Sequence, residues 1–236
     1  MPFQIRQATD SCRTCSHRSL RLFCNLGDEA LNRFDQLGLH VSFPSQAVVF
    51  EEFQPVINIF VICTGRVKLS ATSREGRTMI LRLAGPGDIL GLSAALSDGR
   101  HEVTAETIEP TQLKSVRRAD FLRLLEDFSE VGEKSARVVA AEYRAAYLDA
   151  RRLAISGSAA AKLAQLLLQL ADTSECGKHE QRFTMTLTHE ELANMCGVSR
   201  ETATRLLNQF ERDGLIERRG ASMVIHDLSS LDRMST

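Results

Sequence analysis

No apolar run in this chain of 236 residues approaches the ~20 residues that a helical membrane span needs. The opening "MPFQIRQATDSCRTC" carries no basic-then-apolar leader. Both absences point to a cytoplasmic protein without a membrane partner. Excess positive charge is missing too. The net charge is −1, so any nucleic-acid binding has to come from a local patch. There is no glycine-rich phosphate loop, no nucleophile motif and no paired histidine–carboxylate metal set, so nothing marks the chain as an enzyme. Internal repeats and low-complexity tails are absent. The rest is ordinary for a globular protein, 43% hydrophobic and 25% charged, and long enough for one large domain or two modest ones.

Glycine and proline are unevenly spread. From about residue 40 to 118 they break up short β-rich runs, which predicts strands over 48–53, 58–73, 78–84, 102–108 and 111–117. A hairpin turn is expected at Glu75-Gly76, and a Gly/Pro loop over 85–91. This texture predicts an all-β roll or barrel. From 119 to 154 both residues nearly vanish, and "SARVVAAEYRAAYLDARRLA" (135–154) predicts a strong helix. Val138, Ala141, Ala145, Leu148 and Arg152 form one line on it. Val139, Tyr143, Ala146, Ala150 and Leu153 form a second. Two stripes suit a helix that packs on its own β domain and on a partner helix, which predicts a homodimer; a single core helix is the alternative. "ISGS" (155–158) reads as a hinge, 158–172 as a helix capped by Ser158, and 173–182 as a polar loop.

The segment 187–227, "LTHEELANMCGVSRETATRLLNQFERDGLIERRGASMVIHD", carries the strongest motif. Thr188 and Glu191 make a capping box before "ELANMCG", and Gly197 ends that short helix. Ser199 caps the next helix, which stops at Gly214. Two short helices about a tight turn make a helix-turn-helix. At about 100° per residue from Arg200, Thr204, Glu201 and Arg205 fall at roughly 40°, 100° and 140°, opposite Ala203, Leu206, Leu207 and Phe210. Charges alone would also suit a solvated face. The caps, the turn and the segregation of faces together favour double-stranded DNA. Arginine can bond guanine bidentately and glutamate can accept from cytosine, so Arg200, Glu201, Thr204 and Arg205 are the candidate base contacts. Thr188, Ser199 and Thr202 are candidate phosphate contacts near helix N-termini. Residues 215–227 read as strand, turn, strand, a wing that offers Arg218 and Arg219 to phosphates.

At these residues the chain resembles the CRP/FNR family of bacterial transcription regulators. "GVSRETATRLLNQFERDGLI" is similar to the family's recognition segment, and "FVICTGRVKLS" and "PGDILGLSAAL" to its β-roll motifs. The resemblance implies an α+β fold: an N-terminal cyclic-nucleotide-binding-type β roll, a long dimerisation helix and a C-terminal winged helix-turn-helix. The expected divisions are a cysteine segment over 1–29, a sensor roll over 30–125, a dimerisation helix over 126–155 and the DNA-binding domain over 156–236. It further implies a homodimer, with RNA polymerase as a further partner. Arg200, Glu201 and Arg205 occupy the Arg-Glu-x-x-x-Arg positions that CRP-like members set against a TGTGA half-site. In the family's nucleotide cassette a glutamate and an Arg-Ser pair hold the cyclic nucleotide. Here Leu92 and His101-Glu102 stand at those places, so no cyclic nucleotide is expected. A regulatory module that binds cyclic nucleotide but not DNA is the reading from a different class.

Six cysteines remain, three of them in the thirteen residues "CRTCSHRSLRLFC" (12–24). In a reducing compartment a clustered set suggests metal or redox chemistry. Cys12, Cys15 and Cys24 resemble the thiolates that hold an iron–sulfur cluster, [4Fe–4S], in oxygen-sensing members, with departures. The gap of eight residues before Cys24 is longer, and no cysteine stands near Thr111–Lys114, where those members place the fourth. Cys63 is the substitute fourth ligand, or else a buried small apolar residue. Structural zinc with His17, a thiol–disulfide switch, a small ligand in the roll, and no function for the cysteines are the alternatives. Arg13, Arg18 and Arg21 are expected to favour thiolates. Cys176 falls in the polar loop and Cys196 is expected in the core.

Overall fold

The computed structural model describes residues 12–15, 18, 21, 23–76, 78–97, 99–155, 158–172, 181–185, 187–220 and 222–235. His17 and Cys176 lie outside them. The chain divides into two units, Met1–Ala71 with Leu81–Leu148, and Thr72–Ile80 with Asp149–Thr236.

Helix α1 (Asp28–Leu37) leads into strands β1 (Leu39–Phe43), β2 (Val48–Phe50), β3 (Asn58–Thr64), β4 (Val67–Thr72), β5 (Thr78–Ala84) and β6 (Ile89–Leu90). After the short helix α2 (Leu92–Leu96) come β7 (Thr104–Thr107) and β8 (Thr111–Arg117). They form two four-stranded sheets, ordered β1-β8-β3-β6 and β2-β7-β4-β5. Each strand sends at least one side chain into a single cluster: Phe43, Phe50, Phe60, Ile62, Val67, Ala84, Leu90, Ala105 and Leu113. That shared interior makes the strands a roll. The run expected over 58–73 is two strands, and the expected Gly/Pro loop contains β6. Helix α1, β1 and α2 were not anticipated.

Strand β3 buries four consecutive residues, Ile59 to Ile62. Because side chains alternate along a strand, both of its faces are covered. Phe60 and Ile62 fill the roll, while Ile59 and Val61 join a second cluster with Phe23, Leu31 and Phe34, and with Phe121 and Leu124 of helix α3 (Arg118–Asp127). Phe23 meets Phe34 edge-on at 5.5 Å and Phe121 at 6.0 Å. The N-terminal segment is thus pinned to the outside of the roll by aromatic packing.

Helix α4 (Ser129–Ile155) follows, longer at its start than the strong helix expected over 135–154. Val131 is buried, and Val138 and Val139 lean on the second cluster. Beyond them Ala140, Ala141, Tyr143, Ala145, Ala146 and Tyr147 are exposed within this chain.

The second unit packs helix α5 (Ala159–Asp172) against α6 (His189–Cys196), α7 (Arg200–Arg212), α8 (Leu228–Ser235) and β9 (Gln181–Thr184). The Ser158 hydroxyl accepts the Ala161 N–H at 3.0 Å and caps α5, as its position suggested. β10 (Ile216–Arg219) and β11 (Ser222–Ile225) complete a sheet ordered β10-β11-β9. Helix α8 was missed, although Asp227 caps it through the Ser230 N–H at 2.9 Å.

Phe121 has no exposed surface and closes the cluster that holds the N-terminal segment. Phe121→Ala is expected to destabilise the first unit by about 3–5 kcal/mol. Urea unfolding followed by circular dichroism measures it.

Candidate functional site

Thr188 opens α6. Its hydroxyl accepts the Glu191 N–H at 3.2 Å, and the Glu191 carboxylate accepts the Thr188 N–H at 2.9 Å. Gly197 ends the helix at φ 64°, ψ 35°, a left-handed conformation that glycine adopts without strain. Ser199 then caps α7, accepting the Thr202 N–H at 3.2 Å. Ala203, Leu206, Leu207 and Phe210 are buried beneath α7. Arg200, Glu201, Thr204, Arg205, Asn208 and Arg212 line an open concavity above it. The face read from the sequence is the face presented, extended by Asn208 and Arg212. Thr204 is only half-exposed and shares its hydroxyl with His189 Nδ1 at 3.0 Å. Backbone N–H at the helix start and the Ser199 hydroxyl hold the Glu201 carboxyl below the usual range, so it is an acceptor near neutral pH.

The proposed phosphate contacts are placed less simply. The Thr188 hydroxyl also donates to Glu191 at 3.0 Å, and Ser199 and Thr202 share a hydrogen bond of 3.1 Å. On the wing Arg218 donates to the Glu211 carboxylate at 2.5 and 3.1 Å and to Asn208 Oδ1 at 2.7 Å. This ties the wing to α7. Arg219 donates to Glu217 at 2.6 and 2.8 Å at the more exposed tip. Sequence spacing could not reveal the Arg218 pairings, which need β10 folded back beside α7.

In the first unit Cys12, Cys15, Cys24 and Cys63 are all half-buried. Cys12 and Cys24 pack on the cluster that contains Val61. Cys63 lies two residues beyond Val61, where the β3–β8 register shifts between Ile62 and Thr64. Such a bulge re-aims a side chain. The thiols feel one another's charge: Cys63 interacts with Cys12, Cys15 and Cys24, and Cys24 with Cys15. Arg21 donates to the Cys63 carbonyl at 3.0 Å and hydrogen-bonds the Cys24 thiol.

The expectation that arginines favour thiolates is corrected here. Burial dominates, pushing Cys12 up to about 12 and Cys24 up to about 11, and it raises Cys63 as well; Arg21 opposes the rise only at Cys24 and Cys63. Four soft donors drawn from two chain segments fit an iron–sulfur group chemically. Among the described residues, no three histidine, cysteine, aspartate or glutamate side chains stand close enough to hold a single ion.

Inside the roll His101 is 4% exposed and stacks on Phe50, ring centroids 3.7 Å apart. Burial holds its imidazole below the usual range, so it is neutral at pH 7. Leu92 is buried and Glu102 exposed. Arg82 joins the roll to α4, paired with Asp88 at 2.7 Å and Glu142 at 3.0 Å.

Cys196 is buried in the second unit, and its thiol is pushed up to about 12 by desolvation. An unfolded chain releases that proton near 9, before the folded one does, so this contribution to stability is complete below pH 9 and is lost as pH rises toward 12. Urea midpoints between pH 8 and about pH 10.5 are expected to fall more steeply for the wild type than for Cys196→Ala.

Residues 161–234 match a family profile described as "Crp-like helix-turn-helix domain", and residues 40–128 one described as "Cyclic nucleotide-binding domain". The chain is 33% identical over 196 residues to the CRP-like cAMP-activated global transcriptional regulator of Mycobacterium tuberculosis, covering 82% of this chain and 86% of that one. It is 26% identical over 211 residues to the nitrogen fixation regulation protein FixK of Bradyrhizobium diazoefficiens, covering 87% and 85%. Its fold matches that of FixK2 from Bradyrhizobium japonicum with a TM-score of 0.76 at 22% identity, over 84% of this chain and 98% of that one. No described helix is long and apolar enough to cross a membrane. With two matching profiles, a relative aligned over most of its length and an exposed recognition helix, the chain belongs to the CRP/FNR family of DNA-binding transcription regulators.

Proposed function

We propose that this regulator works in the cytoplasm as a homodimer, reads a palindrome of TGTGA-like half-sites, and is switched by an oxygen-, nitric-oxide- or redox-sensitive iron–sulfur cluster. The observation that carries the DNA reading is the α7 face, where Arg200, Glu201 and Arg205 stand clear of the core. Arg200 and Arg205 bond guanine edges and Glu201 accepts from cytosine N4. Dimerisation is supported by α4, whose exposed alanines lie beside Tyr143 and Tyr147, 73% and 61% exposed. Two recognition helices related by a two-fold axis meet a palindrome in successive major grooves. RNA polymerase is the further partner through which such a regulator acts on transcription.

The cluster reading is supported by four half-buried thiols that feel one another's charge, Cys12, Cys15, Cys24 and Cys63, the four ligands assigned. When bound, the group supplies a centre that oxidants and nitric oxide alter. The protein then couples its N-terminal segment to the dimer helix. Gly27 N–H donates to Glu130 at 2.9 Å, and Lys134 donates to the Asn25 carbonyl, so both bonds join the segment just after Cys24 to the start of α4. A shift of Cys24 is felt where α4 begins, and a ligand that discriminates two positions of α4 shifts the population that binds DNA. Effector binding in the roll is not assigned to a cyclic nucleotide, since His101 is neutral and packed on Phe50.

Two measurements test this. Selection from random DNA should return TGTGA-like half-sites, and Arg200→Ala should lose about 1–3 kcal/mol of discrimination at one guanine while nonspecific binding stays; a selection without that guanine overturns the half-site. Anaerobic purification with iron, zinc and sulfide assays should give a brown protein that bleaches in air and loses its iron in Cys63→Ser. A zinc-loaded or metal-free protein after reconstitution overturns the cluster.

A further inference from the structure

Among the described residues Lys114 is the only buried lysine or arginine, its side chain 3% exposed. Its ammonium donates to Asp35 Oδ1 at 2.5 Å and to the Asp35 carbonyl at 2.9 Å. Burying a cation costs several kcal/mol unless something nearby compensates. Holding the last turn of α1 is one use, but an exposed lysine would serve for that.

The position of Lys114 suggests another. In the β3–β8 register Lys114 is the partner of Val61, so the two share a face, and Cys63 follows two residues on at the bulge. Val61 and Val116 mark the shared face as the one turned to the N-terminal segment, where Cys12 and Cys24 pack. The Lys114 charge acts on both Cys63 and Cys12, and Asp35 acts on Cys12 in the opposite sense. Room for the lysine is made by Gly38, where a Cβ would lie 2.5 Å from Lys114 Cε. One buried ion pair therefore acts on two of the four cysteines from the side of the sheet.

We propose that Lys114, held by Asp35, is the built-in counter-charge of the site formed by Cys12, Cys15, Cys24 and Cys63, and that the pair sets how readily that site accepts an electron. The proposal rests on the cluster reading above. Lys114 is a positioning residue, acting through its charge and through Cys63. A buried positive charge favours the more negative, reduced state of a thiolate-bound cluster, and the neighbouring carboxylate offsets it.

The test uses full-length protein reconstituted anaerobically with iron and sulfide, as wild type, Lys114→Met, Asp35→Asn and the double variant. Iron content and circular dichroism come first, then a mediated redox titration read by absorption and electron paramagnetic resonance. Lys114→Met is expected to lower the reduction equilibrium constant on the order of tenfold, a shift of ~59 mV for a one-electron couple. Asp35→Asn is expected to move it the opposite way, with the double variant near wild type. Opposite signs are the mark of charge, because loss of packing would not follow the sign of the deleted group. If Lys114→Met fails to hold iron while the double variant holds it, the loss is electrostatic and supports the proposal. If both fail, or if both single variants shift together or not at all while wild type is loaded, the counter-charge is overturned and the cysteine reading stands. An iron-free wild type overturns both.

Discussion

The molecule depends on one strand being covered twice. β3 contributes Phe60 and Ile62 to the interior of the roll and Ile59 and Val61 to the cluster outside it. A strand with one wet face would leave the N-terminal segment nothing to dock on. Because the outer face is apolar, Phe23, Phe34 and Phe121 close over it, and burial of that surface holds residues 23–37 in place. The cysteines then sit at the edge of a packed cluster rather than in solvent, which is why burial dominates their proton affinity. The same sheet face carries Lys114, so fold, thiols and buried charge share one origin.

The second unit separates its tasks by helix face. Four apolar side chains of α7 lie beneath it, and its charged residues stand above. A net charge of −1 is compatible with DNA binding because Arg200, Arg205 and Arg212 share one exposed face of α7 and make a local basic patch. Not every arginine is offered to the outside. Arg218 braces the wing against Glu211 and Asn208, which fixes the wing relative to the recognition helix. Rigid mounting of this kind supports readout, since base contacts demand placement within a fraction of an ångström.

Much of this was legible in the chain. The capping box at Thr188, the turn at Gly197 and the cap at Ser199 are local hydrogen-bond devices, and each formed where its spacing said. The apolar stripe of α7 follows from helical period alone. Elements missed were those whose stability comes from elsewhere: α1 rests on Phe23 and Phe121, β6 is a two-residue strand held by β3, and α8 leans on α5.

By itself, then, the sequence determined the two kinds of domain, the recognition face and the crowding of Cys12, Cys15 and Cys24, because these reside in short-range pattern and spacing. Tertiary structure alone decided that Cys63 feels the charge of Cys15, that Lys114 is buried against Asp35, and that Arg218 is bound to Glu211. Those partners lie far apart in the chain or come together only when strands and helices fold back. Their proximity is set by sheet register and by packing of buried faces, and neither is written in any single stretch of residues.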